Sequence, residues 1–295
     1  MPQSRVSRAM KAIQAAVPSL RAMVAVGVSI VVMMMAVSVP VGAAAHGHRG
    51  PRLHGLTRRS NTLASTASPL VDLHGPVRSS VHPYAIWWGP QGGFPTDVVT
   101  AMTSFFGGLQ GSDYLAVADQ YLRGAHASLS PVVNLFDPSP PSRSSSQASI
   151  AAEVAKMSRK RPDPAGIYFV FTSTASRGGS YCAWHAAARV GTRTTAFAYM
   201  PNITGVANCD PGDRYGANSY SEGARALVNV TAHELMEAIT DPQPTPGTSA
   251  WLDRGGEEIG DKCAWLFTGP VHLANGSTWQ LQEEWSNAVS GCAQG

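Results

Sequence analysis

The stretch SYSEGARALVNVTAHELMEAITDP (Ser219–Pro242) is the part of the chain whose reading decides the rest. Ser219-Tyr220-Ser221-Glu222 has the S-x-x-E spacing of a capping box, in which a hydroxyl and a carboxylate satisfy free N–H groups at a helix start. Val228, Ala232, Leu235 and Ile239 follow at i, i+4, i+7 and i+11, the stripe of a helix packed on a core. Pro242 disfavours continuation past Asp241. Within this apolar stretch stand three ionisable residues, His233, Glu234 and Glu237. A buried charge is costly unless it is paired or bound to a metal, so the helix implies a polar site inside the protein.

His233 and Glu237 are four residues apart and share one helix face, within reach of a single ion. Glu234 lies one step round. This is the logic of H-E-x-x-H zinc hydrolases, where positions i and i+4 hold the metal and the intervening Glu takes a proton from water. Here Glu237 stands in place of the second histidine. Carboxylate is an acceptable zinc ligand, while a salt-bridged amphipathic helix is the bland alternative. Downstream, Trp251–Cys263 (WLDRGGEEIGDKC) offers acids about two dozen positions after His233. Glu258 is the expected third ligand of one zinc ion. Asp261 is expected to accept from His233 and orient it, since metal-bound histidines need such a partner. Glu257 and Asp241 are competing ligands, and an exposed acidic turn is the alternative for Glu257 and Glu258. His185, in Cys182-Ala183-Trp184-His185, is either a further site residue or, by preference, a structural histidine beside a disulfide.

Outward from this helix, Gly166–Thr172 (GIYFVFT) is the strongest strand of the chain, an apolar run suited to the centre of a sheet. Thr194–Met200 and His82–Gly89 are further strands, and Pro131–Phe136 is another. The spacing of Val98, Val99, Met102, Phe105, Phe106 and Leu109 predicts a helix capped by Thr96 or Asp97. Shorter helices are expected over Asp113–Arg123 and Ser149–Lys160. Short strands are expected around Cys263–Phe267, Val271–Ala274 and Trp279–Trp285, with Asn275-Gly276 as a turn. Helices mingle with strands without βαβ regularity, so the expected class is α+β: a mixed sheet carrying a zincin-like helix.

The 295 residues carry 22 Lys and Arg against 19 Asp and Glu, unevenly placed. Residues 1–45 contain four basic residues and no acid, and 46–80 contain five Arg and only Asp72. The remainder has 13 basic and 18 acidic residues, a net of −5, which argues against a nucleic-acid groove. Met23–Ala45 is uncharged and ends in small residues at Ala43-Ala44-Ala45, a signal-peptide pattern over 1–45. An uncleaved membrane anchor is the alternative. Residues 46–80, rich in Arg, Ser, His and Pro, read as a disordered tether, and 81–295 as one secreted domain. All four cysteines lie in the exported part, where they can pair. Three pairings exist, of which the sequence-near Cys182–Cys209 and Cys263–Cys292 is expected. No CxxC occurs. Of three N-x-S/T sequons, at Asn202, Asn229 and Asn275, the one at Asn229 falls inside the long helix and reads as chance.

The ordered motifs FVFT (Phe169–Thr172), CAWH (Cys182–His185), FAYM followed by Cys209, AHELMEAITDP (Ala232–Pro242), GEEIGDKC (Gly256–Cys263) and a final Trp279 and Cys292 resemble the EXORDIUM-like, or phosphate-induced, family of secreted plant proteins and their microbial relatives. The resemblance spans roughly Ala85–Cys292. It implies an exported domain; the plant members are associated with growth and the extracellular matrix. Plant members are similar at Cys182, His185, Thr240, Pro242, Glu258 and Cys263 but lack counterparts of His233 and Glu234, so catalysis is not implied by the resemblance itself. Two readings follow from the residues: a secreted, monomeric zinc metallopeptidase acting on peptide or matrix substrates with Glu234 as general base, or a non-catalytic extracellular or cell-wall-associated binding protein. In the first, a strand such as Thr194–Met200 could offer its edge to a peptide. Glycoside hydrolysis by paired carboxylates is a weaker third, and no G-x-S-x-G supports a serine hydrolase.

Overall fold

Alternation along the strands sets the layers of the protein. In a computed structural model that describes Leu56, residues 68–176 and residues 180–295, β2 (Ser80–Trp88) turns Ala85 and Trp87 to one apolar cluster and Ile86 and Trp88 to another. The same split divides β5 (Gly166–Thr172), where Ile167, Phe169 and Phe171 face the first cluster and Tyr168 and Val170 the second. Every residue of β5 is buried, as expected for a strand covered on both faces.

The remaining elements, in chain order, are β1 (Val71–Asp72), α1 (Val98–Leu109), α2 (Asp113–Ala116), β3 (Ser128–Leu129), β4 (Val133–Asp137), α3 (Gln147–Met157), β6 (Trp184–Val190), β7 (Arg193–Met200), α4 (Glu222–Thr240), β8 (Trp251–Leu252), β9 (Val271–His272), β10 (Thr278–Trp279), β11 (Glu284–Ser286) and β12 (Gly291–Ala293). The main sheet runs β3-β2-β5-β7-β6, with β4 continuing the β3 edge beside β2. All its pairs are parallel except β6 with β7. Helices α1 and α4 pack in the first cluster and α3 in the second, so the sheet is a filled layer between helices. The class is α+β with a mixed sheet. Parallel crossovers through α1 and α3 give it more βαβ character than the sequence suggests.

The expected strands and helices largely form, but Trp279–Trp285 is strand only at its ends, in β10 and β11, and three further departures occur. Asp113–Arg123 is one α-turn, α2, continued as a 3-10 helix over Val117–Tyr121. Cys263–Phe267 is not a strand, because a 3-10 turn at Asp261–Cys263 ends there and Trp265 adopts a positive φ. The run Trp184–Val190, unread in the sequence because its alanines carry little strand preference, is the antiparallel edge strand β6. Thr194–Met200 within β7 therefore lies between β5 and β6 and has no free edge to offer a peptide. β9 and β10 pair across Asn275-Gly276, where Gly276 has the positive φ that the turn requires.

Both sequence-near disulfides form: Cys182–Cys209 closes a separation of 27 residues and Cys263–Cys292 one of 29. Each stabilises by about 2–4 kcal/mol and fits an oxidising environment. The leader and most of the expected tether lie outside the described residues. Where the tether is described, it is packed: Leu56 and Leu70 are buried, and β1 pairs antiparallel with β8. Asn287 grips Leu70 at both main-chain atoms, and Arg123 pairs with Asp72. The domain thus begins before Val81, because a few apolar side chains in a polar segment suffice to anchor it. Among the described residues no helix is long and apolar enough to cross a membrane.

Candidate metal centre

Helix α4 opens as its sequence requires, with the Ser221 hydroxyl accepting from the Ala224 N–H and itself held by Asp97. Asp97 was expected to cap α1 but spends its carboxylate on Ser221 instead. Along α4 all residues from Ala226 to Thr240 are buried, so His233, Glu234 and Glu237 have no exposed surface. Asn229 is equally buried and accepts from the Gln282 N–H, which agrees with its sequon being fortuitous.

Against this face comes β6. Trp184 and Ala186 point to the α3 side, so His185 between them points to α4. Its Nδ1 lies 3.3 Å from Glu234 Oε2 and 3.2 Å from Glu237 Oε2. Its Nε2 lies 3.5 Å from Glu258 Oε1 and 3.2 Å from the Asp241 carbonyl. His185 is thus a central member of the site, not a structural histidine set apart beside the disulfide.

The third wall is the Glu258–Asp261 turn. Nε2 of His233 is 3.0 Å from Glu237 Oε1 and 3.7 Å from Asp261 Oδ1. Gly260 lies flat against the imidazole: a Cβ there would come within 2.5 Å of Nδ1. Gln282 Nε2, 2.8 Å from Nδ1, holds the ring from behind and also donates to the Gly260 carbonyl. Two ion-sized groups result, His233–Glu237–Asp261 and His185–Glu234–Glu237, joined through Glu237.

The expected ligands His233 and Glu237 therefore come together, but the third position goes differently. Asp261 stands where Glu258 was expected, and Glu258 serves His185. Asp241 caps the end of α4, accepting from the Ala250 N–H, and shares in the site through its carbonyl. Glu257 is half-buried in a turn with Asp253 and belongs to neither group. Two residues that the sequence did not single out touch the site, Gln282 and Gly260, and a third, Glu284, lies within its field, its buried carboxylate accepting from the Tyr114 hydroxyl.

The electrostatics are those of a site that demands positive charge. Burial alone would lower the pKa of His185, but Glu258, Glu234 and Glu237 raise it well above the usual value. Burial likewise opposes protonation of His233, and Glu237 overrules it, lifting the group to about 10. Burial pushes Glu234 upward, and lifts Glu258 and Asp261 well above the carboxylate range. It carries Asp241 to about 6 and Glu284 to about 8. Glu237 goes the other way: the two histidines overcome its burial and hold it ionised. His185 Nδ1, His233 Nε2, Glu234 Oε2 and Glu237 Oε2 are buried without a well-formed hydrogen bond and are compensated only by the ion pairs they make among themselves. Buried N and O ligand atoms converging in one place with no other partner are the arrangement a cation satisfies, and imidazole with carboxylate suits zinc.

No protein-family model matches the chain, and no curated protein matches it. Among solved structures, the crystal structure of metalloproteinase-II from Bacteroides fragilis is similar at 8% identity and a TM-score of 0.32, over 61% of this chain and 47% of that one. The chain thus spans about half the length of that protein, and so slight a likeness transfers neither site nor activity.

Proposed function

We propose that this domain is a zinc-dependent hydrolase, most naturally a peptidase, in which His233, Glu237 and Asp261 hold the ion and Glu234 is the acid–base group. The observation that carries this reading is the convergence of His233 Nε2, Glu237 Oε1 and Asp261 Oδ1 within the reach of one ion, beside a carboxylate on the next helix position. When bound, zinc would supply Lewis acidity to polarise a scissile carbonyl and activate water. Glu234, raised in pKa by burial, accepts a proton at Oε1 and passes it to the leaving amine. His185 Nδ1, 3.3 Å from the other oxygen, Oε2, orients the carboxylate. Asp261 replaces Glu258 as the third ligand because the turn brings it, and not Glu258, to His233. Secretion and membership of the EXORDIUM-like family belong to the same proposal, supported by the leader's pattern, the paired cysteines and the motif order.

The complete burial of His233 and Glu237, with Asp261 only partly exposed, favours a second reading, a structural ion in a non-catalytic extracellular protein. Elemental analysis of purified protein, followed by hydrolysis of a peptide library, separates the two. About one zinc per chain with peptide cleavage supports the hydrolase. Zinc without cleavage supports the structural ion, and no metal with no stabilisation by added zinc removes both.

A further inference from the structure

His185, His233, Glu234 and Glu237 have no exposed surface, so a substrate reaches them only by displacing something. One residue has the character of that occupant. Leu56 comes from an Arg-rich, apolar-poor stretch, yet its side chain is completely buried in the main core cluster. Its main chain is engaged on both sides. The Leu56 N–H donates to Glu234 Oε1 at 3.2 Å, and its carbonyl accepts from the Cys182 N–H at 2.7 Å. Cys182 leads into β6, the antiparallel edge strand, and is pinned by its disulfide to Cys209.

We propose that Leu56 sits in the substrate position of this site as an intramolecular peptide ligand, and that the site accepts a peptide main chain carrying a leucine-sized aliphatic side chain. This rests on the hydrolase reading and gives it a substrate class. A carbonyl bonded beside a sheet edge is how an extended peptide docks, with main-chain bonds giving affinity and the side-chain pocket giving selectivity. The amide N–H on Glu234 marks the second half of the assignment. A general acid must reach the nitrogen of the leaving amine, and Leu56 offers a backbone nitrogen to that carboxylate. The leucine pocket therefore belongs to the residue on the amine side of the cleaved bond. The same contact keeps other peptides out.

The test uses the full chain and a fluorescein-labelled peptide of residues 52–58, with a second peptide carrying Asp in place of the leucine at 56. Binding is read by fluorescence anisotropy for wild type, Leu56→Met, Leu56→Asp and Leu56→Gly. Wild type and Leu56→Met should bind the leucine peptide weakly, and Leu56→Asp or Leu56→Gly should bind it at least tenfold more tightly while ignoring the Asp peptide. No gain in either opened variant, or an equal gain for both peptides, overturns the proposal. So does a failure of both variants to fold, which would make Leu56 an ordinary core residue. Tight binding in the opened variant without hydrolysis of any peptide keeps this subsite and removes the hydrolase. Equal hydrolysis by wild type and Leu56→Asp keeps the hydrolase and removes this inference.

Discussion

Glu237 bridges the two histidines of the site: its Oε1 lies 3.0 Å from His233 Nε2, and its Oε2 lies 3.2 Å from His185 Nδ1. One carboxylate therefore belongs to both ion-sized groups. Glu237→Gln keeps the shape but removes the negative charge that both imidazoles face. The variant should lose stoichiometric zinc by elemental analysis. His272→Ala, on the exposed hairpin residue of β9, should retain it. Full zinc in Glu237→Gln would show that the ion is held elsewhere.

The proposed hydrolase gives the neighbouring carboxylate, Glu234, a different task. Glu234→Gln should retain zinc and melting temperature while losing peptide hydrolysis by at least about a hundredfold, the scale of a general base. Joint loss of metal and activity would make Glu234 a ligand, with His185 and Glu237 as its partners.

Gly260 is required by closeness to His233, not by its backbone angle. In Gly260→Ala the new Cβ would meet the imidazole at 2.5 Å. Displacing the ring should weaken zinc binding by about tenfold or more and cost about 1–3 kcal/mol of stability. Gly269→Ala, where nothing lies within 4 Å, is the control. Equal zinc affinity in both variants would show that the ring moves freely.

Glu153 makes stability depend on pH on the opposite side of the sheet. Burial, followed by the nearby Asp137, pushes its pKa from 4.5 to about 7. The folded chain therefore keeps a proton that the unfolded chain has lost between these values. Its contribution is complete below about pH 4.5 and is lost as pH rises through 7. Asp137, lowered to about 2 with Lys156 and Ser139 holding its ionised form against burial, acts in a separate, more acidic window. Glu153→Gln should flatten the fall in stability from pH 5 to 8, on the order of 1–2 kcal/mol. An unchanged urea-midpoint profile across that range would refute this assignment.

Trimming the chain to begin at Val81 should be costly. It removes two buried leucines, Leu56 and Leu70, with β1 and the Asp72–Arg123 pair. Each leucine stabilises by about 1.5–3 kcal/mol, so the melting temperature should fall on the order of 10 °C. A trimmed protein melting with the full chain would show that this segment contributes nothing.

The sequence by itself determined what depends on near neighbours. The 2-residue alternation and apolar runs of β2, β5 and β7, the capped stripe of α4 and the i,i+4 pair His233–Glu237 are local patterns. Backbone geometry converts each directly into a shared face. The cysteine pairing was legible for a related reason, since each bridge joins residues fewer than thirty apart.

Only the tertiary structure decided which distant groups share the site. His185 enters because β6 is an edge strand whose alternation turns it toward α4. Asp261 displaces Glu258 because one turn selects which of two nearby acids meets His233. Gln282 fixes the ring from a segment with no motif of its own, and Gly260 does so from within GEEIGDKC, where nothing local marks it as the residue that meets the imidazole. Leu56, 178 residues from Glu234, is one of several leucines scattered through a polar stretch, and nothing local distinguishes it from Leu53 or Leu63. Periodicity reports the face a residue occupies within its own element. It carries no information about which other element packs there, and that choice is made by the burial and hydrogen bonding of the whole chain.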